Sequence, residues 1–276
     1  NKHTHRAHSK NKRTICFSLT SARSSFNHLS QFNNKMKTYL YLLASLFLLI
    51  SCNNNQNNKD WIYLFDGETT DGWRGYNSDE LPPGWMAKDG MLMFEREGLQ
   101  LEQDYDGGKD IIYAKDMYSE FEFYVEWKIP PGGNSGIFYH VQEGYDFPGD
   151  SSPEYQLIDD VNYTKFHDVT EYNNLFDVSE PEKLQDWQKT GANYAMHTVP
   201  EDVDKVLFPA GEWNSTTIVF TNEKVEHWLN GVKLLSFVPW SDEWNELKNT
   251  GKWKKSPDYG KSKTGYISFQ DHGSSL

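Results

Sequence analysis

The amino-acid sequence predicts an all-β fold, a sandwich of two antiparallel sheets. Ten short runs alternate apolar and polar residues with a period of two, the mark of strands that bury one face. No segment keeps a helical period over three turns. Asn230-Gly231 stands between two of the runs, where a tight hairpin turn belongs.

The runs follow in order. Residues 61–65, 91–95 and 111–114 are short and apolar. Residues 120–129 (EFEFYVEWKI) are the clearest strand: Phe121, Phe123, Val125, Trp127 and Ile129 share one face, while Glu120, Glu122, Tyr124, Glu126 and Lys128 share the other. Residues 136–142 (GIFYHVQ) and 153–159 come next, then 214–220. Residues 224–229 and 232–237 flank the Asn-Gly turn, and 264–270 close the series. Two stretches, 160–212 and 239–263, are long and irregular, which in a compact domain points to functional loops. A short helix is expected within 180–189.

The ends read differently from the body. From Met36 the chain gives Lys37, an apolar stretch from Tyr39 to Ile50 too short to span a bilayer, and then Ser51-Cys52. That order is a bacterial lipoprotein signal over 36–51, with Cys52 the residue to be lipidated. Residues 1–35 read as translated upstream sequence, with a disordered basic arm as the alternative. Residues 52–60 are a polar tether, and 61–276 form one domain with its own core. The expected location is the cell envelope, and the membrane is met only through the lipid anchor.

Charge excludes one partner class. Residues 1–51 hold eight of the 27 basic residues and none of the 40 acidic ones, so residues 52–276 carry a net −21. A domain this acidic is not a nucleic-acid binder. The two cysteines are Cys16 and Cys52, so the folded domain has neither disulfide nor thiol chemistry.

Three strands carry a different vocabulary from the charged outer face of 120–129. His140 shares a face with Phe138 and Gln142, Glu154 with Gln156 and Ile158, and Gln270 with Ser268 and, if the strand continues, His272. Amides, imidazoles and a carboxylate suit hydroxyl recognition, so these faces are read as one ligand surface; a merely solvated sheet face is the alternative. All ten Trp lie beyond residue 60, several near turns, and at least one is expected to stack on a sugar. There is no His-Glu-x-x-His, cysteine cluster, P-loop, dinucleotide fingerprint or nucleophile elbow. A metal site assembled from Asp, His and Glu of distant strands stays open.

PPGGNSGIFYH, PEYQLIDD, KTGANYAM, GEWNSTTIVF, VEHWLNG and GYISFQDHG stand in that order, after an opening LFDGETTDGWRG. In these motifs residues 60–276 resemble the 3-keto-disaccharide hydrolase domain family, also described as 3-keto-glycoside hydrolases or lyases. The resemblance implies a concanavalin-A-like jelly-roll sandwich, secretion or lipid anchoring, and a small sugar substrate. It also implies a final hydrophobic strand after QDHG, so a chain stopping at Leu276 is expected to be truncated. The implied chemistry is removal of the acidic C2 hydrogen beside a C3 ketone, then expulsion of the C1 substituent, with or without addition of water. Glu154, His272 and His140 are the titratable candidates: His272 as base or metal ligand, Glu154 as metal ligand or acid. Asp271 orients His272 or joins them on a divalent metal. Asn134, Gln156 and Gln270 hold hydroxyls, and Tyr194 closes one side. The competing function is a non-catalytic carbohydrate-binding module, since the sandwich is shared by lectins.

Overall fold

The computed structural model describes residues 13–16, 61–96 and 108–273. Within them thirteen strands pair as follows. One sheet holds β1 (Arg13–Cys16), β2 (Trp61–Ile62), β7 (Phe121–Trp127), β10 (Asn214–Phe220), β11 (Val225–Leu229) and β12 (Val232–Phe237), in the order β12-β11-β10-β7-β1-β2. The other holds β3 (Trp73–Gly75), β6 (Ile111–Tyr113), β8 (Asn134–Val141), β9 (Glu154–Ile158) and β13 (Tyr266–Phe269), in the order β3-β6-β13-β8-β9. A separate hairpin pairs β4 (Trp85–Lys88) with β5 (Met91–Phe94). The fold is the all-β sandwich of two sheets that the sequence predicts, as the family resemblance also implies. β1 pairs in parallel with both β7 and β2. Apart from β1, residues 1–60, with the lipidation signal around Cys52 and the tether, lie outside the described residues.

Alternation explains the six-stranded sheet. Phe121, Phe123, Val125 and Trp127 are buried, while Glu122, Tyr124 and Glu126 are not. Across from them Asn214, Thr216, Ile218 and Phe220 are buried and their alternates half-buried. The Asn-Gly turn forms as predicted: Asn230 and Gly231 both have positive φ (47° and 81°), which joins β11 to β12 tightly. Burying a large apolar side chain of this core contributes about 1.5–3 kcal/mol.

The five-stranded sheet is buried on both faces at β8 and β9. One face meets the core through Ile137, Tyr139, Tyr155, Leu157 and Ile267. The far edge of β9 is closed by residues 190–197: Gln156 N–H donates to the Ala192 carbonyl at 3.1 Å, and Tyr194 N–H to the Glu154 carbonyl at 3.0 Å. The two aspartates after β9 anchor the loop that delivers this segment. Asp159 accepts N–H groups from Gly132, Val161 and Asn162, closing the turn out of the strand. Asp160 accepts from Thr190 N–H at 2.8 Å and from the Lys205 ammonium at 2.6 Å.

The loops hold helices that the sequence pattern does not announce. α1 (Tyr163–Phe166) and α2 (Thr170–Asn173) are single turns in the first loop. The helix expected within 180–189 is only a 3-10 turn, Asp186–Gln188. α3 (Asp242–Thr250) is capped by the Ser241 hydroxyl, which accepts from Trp244 N–H at 3.2 Å, with Asp242 and Glu243 in the first turn where the helix dipole favours them. Its Trp244 is buried and stacks on Phe237 and Tyr259. The strands β3 and β4, each built round a buried Trp, are too short for a period-two signal and were not predicted.

Two histidines sit in the interior. His227 is fully buried; its Nδ1–H donates to the Gly191 carbonyl at 2.9 Å, so Nε2 accepts from the Tyr139 hydroxyl at 3.2 Å. His140 Nε2–H donates to the Ser119 carbonyl at 2.9 Å, and the ring lies 4.3 Å from that of Phe220. Burial pulls His227 down to about 3 and His140 to about 4. Both rings are neutral in the fold and protonate more readily in the unfolded chain, near 6.5. Their stabilisation is therefore complete above about pH 6.5 and is lost as pH falls towards 4. Between pH 7 and pH 5, His227→Phe is therefore expected to gain stability relative to wild type; calorimetry of the two proteins across the range measures the difference.

Candidate active site

The outward face of the five-stranded sheet carries two rows of side chains fixed by register. One row runs Arg74, Ile112, Ser268, Phe138, Glu154 across β3, β6, β13, β8 and β9. The next passes through Asp110, Gln270, Gly136 and Gln156: Gly136 pairs with Gln156, Gln270 N–H donates to the Gly136 carbonyl at 3.0 Å, and Asp271 N–H donates to Asp110 Oδ1 at 2.8 Å. Three strands expected to be neighbours, those of residues 136–142, 153–159 and 264–270, are indeed adjacent.

Glu154 is the centre of this face. It is 5 % exposed, and among the described residues its carboxyl has no hydrogen-bond partner. The carboxyl lies over Gly136: a Cβ on that glycine would fall 2.0 Å from Glu154 Oε1. Gly136 thus leaves room for the acid, between the amides of Gln156 and Gln270. Burial pushes the Glu154 carboxyl up to about 8; the Lys252 ammonium opposes this and the Asp110 charge adds to it. Asp110 is also buried, which pushes it up to about 7 against the Asp271 N–H. Asn134 Oδ1 and Ser268 Oγ are buried without partners. Such unsatisfied groups on one face are costly, and their clustering is what a polar ligand would relieve.

The other predicted residues fall into two sets. Gln156 and Asn134 share the outward face with Glu154, Gln270 joins it through the Gly136 carbonyl, and Tyr194 N–H is bonded to the Glu154 carbonyl. Gln156 Oε1 accepts from Leu157 N–H at 3.0 Å, which fixes the amide with its NH2 end as a donor. Tyr194 joins the wall: its hydroxyl shares a 3.1 Å hydrogen bond with Tyr172. His140 does not join. It has a φ of +59°, and the register of β8 on β13 shifts between Tyr266 and Ser268. This bulge turns His140 into the core and gives its place on the outward face to Val141, beside Phe138 and Ile112. His272 is exposed, past the end of β13. Asp271 is buried, and its carboxylate accepts from the N–H groups of Lys109 and Gly273, which holds the turn. Among the described residues no three His, Cys, Asp or Glu side chains group as a metal ion requires, so Glu154, Asp271 and His272 do not form such a set.

Sequence reasoning missed Asp110 and Lys252. Asp110 precedes an apolar strand whose alternation with Ile112 puts it on the outward face, so its position could have been read. Lys252 comes from the loop after α3 and has no local signal. Of the Trp near turns, Trp73, Trp85, Trp244 and Trp253 are core. Trp187 is half-buried in a ring of Tyr172, Phe176 and Tyr194 beside the site. A separate cleft between Trp127, Ile158 and Phe208 has its polar side chains already engaged, Asp159 and Asn214 by backbone groups and Asn162 by Asp159 and Lys165.

Buried carboxyls, amide donors and an aromatic wall on the face of a jelly-roll sandwich define a glycoside-cleaving enzyme. Comparison with known proteins agrees. Residues 60–276 match the family described as the 3-keto-alpha-glucoside-1,2-lyase-like domain, and the chain belongs to it. A 3-keto-disaccharide hydrolase of Bacteroides thetaiotaomicron is 32% identical over 233 residues, covering 77% of this chain and 74% of that protein. A crystal structure described as a candidate glycosyl hydrolase from Parabacteroides distasonis is 42% identical, with a TM-score of 0.65 over 77% of this chain and 87% of that one.

Gly136→Ala offers a clean test of the centre. The backbone at 136 does not need a glycine, and the added methyl meets the Glu154 side chain first. Turnover is expected to fall more than about tenfold, since small displacements of a reacting group cost this much or more. The melting temperature is expected to hold; steady-state kinetics and calorimetry on the same preparation check both.

Proposed function

We propose that the protein cleaves 3-keto-glycosides, including 3-keto-disaccharides, by removing the C2 proton and eliminating the C1 substituent. The observation that carries this reading is the Glu154 carboxyl, buried without a partner over Gly136 between two glutamines. A carboxylate held near 8 is a far stronger base than an ordinary one, which suits a carbon acid activated by a neighbouring ketone. Glu154 takes the C2 hydrogen, and the electron pair moves through C2 and C3 to the ketone oxygen. The enolate then returns its electrons and breaks the bond from C1 to the leaving oxygen. Asp110, across Gln270 from Gly136, is placed to give that oxygen a proton. Addition of water to C1 completes net hydrolysis. Gln156, Gln270 and Asn134 hold the hydroxyls that fix the ring.

Asp110 also favours a second reading. Two strand spacings separate Asp110 from Gly136, about 10 Å of backbone. Two acids on one face are the arrangement that inverting glycosidases use, at a separation of roughly 6.5–9.5 Å, on unoxidised sugars. A non-catalytic module has less support, because a binding face gains nothing from a buried acid with a raised pKa. Incubation with a 3-keto-glucoside and with its parent glucoside separates the readings. Release from the keto sugar alone supports the elimination route, release from the parent favours paired-acid hydrolysis, and binding without release favours the module.

Glu154→Gln is expected to lower turnover of the keto sugar roughly 10²–10⁴-fold. Wild-type kcat/KM should pass through a maximum between about pH 7 and 8, because Glu154 must be unprotonated to act as base and Asp110 protonated to act as acid. The stability effect has the opposite sign. The acid ionises near its ordinary 4.5 in the unfolded chain but near 8 in the fold, so folding is penalised above about pH 4.5. Removing the acid should therefore raise the melting temperature at pH 8, by about 2–4 °C per kcal/mol relieved.

Export and lipid anchoring at Cys52 complete the proposal and would place the enzyme in the cell envelope. Labelled palmitate should enter the wild-type protein in bacterial cells, and Cys52→Ala should lose the label and leave the membrane fraction.

A further inference from the structure

We propose that Lys252 is the electrophile of the site, donating to the C3 oxygen as negative charge collects there. This rests on the 3-keto reading above. Lys252 opens the 3-10 turn Lys252–Lys255, in the loop that follows α3. Its ammonium lies 4.3 Å from the ring centre of Tyr194, 4.5 Å from Trp253 and 5.6 Å from Tyr172. Among the described residues its ammonium makes no direct ion pair or hydrogen bond, and the carboxyls of Glu154 and Asp150 feel its charge from further off. Lys205 shows the contrast: its ammonium is fully engaged, by Asp160 at 2.6 Å and the Thr190 carbonyl at 2.7 Å.

The cage is tied to the reacting acid. Tyr194 N–H is bonded to the Glu154 carbonyl, and Trp253 Nε1–H donates to the Tyr194 carbonyl at 3.2 Å. Rings fixed this way hold the ammonium beside β9, close enough for its charge to act on Glu154. Aromatic faces attract a cation without neutralising it, so the charge and its N–H donors stay available. A half-buried, preorganised charge is worth most where charge develops in the transition state. When the C2 proton passes to Glu154, the electron pair ends on the C3 oxygen as an enolate. Lys252 faces this oxyanion as an intact ammonium; no bond to its nitrogen forms.

The test uses the full chain with a 4-nitrophenyl 3-keto-glucoside. Lys252→Gln should lower kcat about 10²–10³-fold while KM changes little, the cost of losing one such donor. Lys252→Arg keeps the charge in the cage and should recover much of the loss. Exchange of the C2 hydrogen of 3-keto-glucose in D2O should fall in parallel, because proton removal is the step assisted. A Lys252→Gln enzyme within about threefold of wild type, or a folded Lys252→Arg enzyme no better than Lys252→Gln, would overturn the role. Borohydride treatment of wild type with substrate needs no variant: a sugar adduct on Lys252 would show a covalent imine and overturn the ammonium assignment. Wild type that neither cleaves nor exchanges any 3-keto-glucoside would overturn this and the elimination reading together. Turnover by wild type with an unaffected Lys252→Gln removes only the lysine.

Discussion

Everything at the site depends on the closing of the β9 edge. A strand at the rim of a sheet ordinarily leaves its backbone to water and its outward face wet. Here residues 190–197 take the edge hydrogen bonds, and the loop that carries them is fastened by Asp160, Thr190 and Lys205. Covering the edge buries both faces of the strand. Glu154 and Gln156 are thereby moved from a solvated surface into a low-dielectric enclosure, and that burial is the largest cause of the altered acidity of Glu154.

The same enclosure sets stability against activity. An ionised Glu154 is a burden on the fold, and the unpartnered Asn134 and Ser268 atoms add to it. The core opposite them is well supplied with apolar and aromatic residues to offset the cost. Lys252 and Asp110 then pull Glu154 in opposite directions, so the acid is held where it can both lose and regain a proton near neutrality.

Much of this was legible in the sequence, and the failures have physical causes. Period-two alternation located the long strands because one face of each is buried; Asn214–Phe220 and Val232–Phe237 have the bounds read from the pattern. Glu154, Gln156 and Gln270 were found through the parity of their strands, and family motifs supplied the chemistry. His140 was misplaced because parity fails at a bulge: Gly265 brings its backbone so close to residue 140 that a Cβ would fall 2.2 Å from the His140 carbonyl carbon. Lys252 was invisible because its place depends on α3 and on rings from both long loops. Short strands such as β3 carry too few residues for any period to show.

Gly136 has a wider meaning. A protein can specify a functional group by what it withholds, and here the hydrogen at residue 136 defines the volume in which an acid stands. Surveys of reactive positions that count only polar side chains pass over such a residue. Its substitution would look like a conservative change in the middle of a strand, and would leave the scaffold intact with its acid displaced. Vacancy, in this sheet, is as much a coded property as charge.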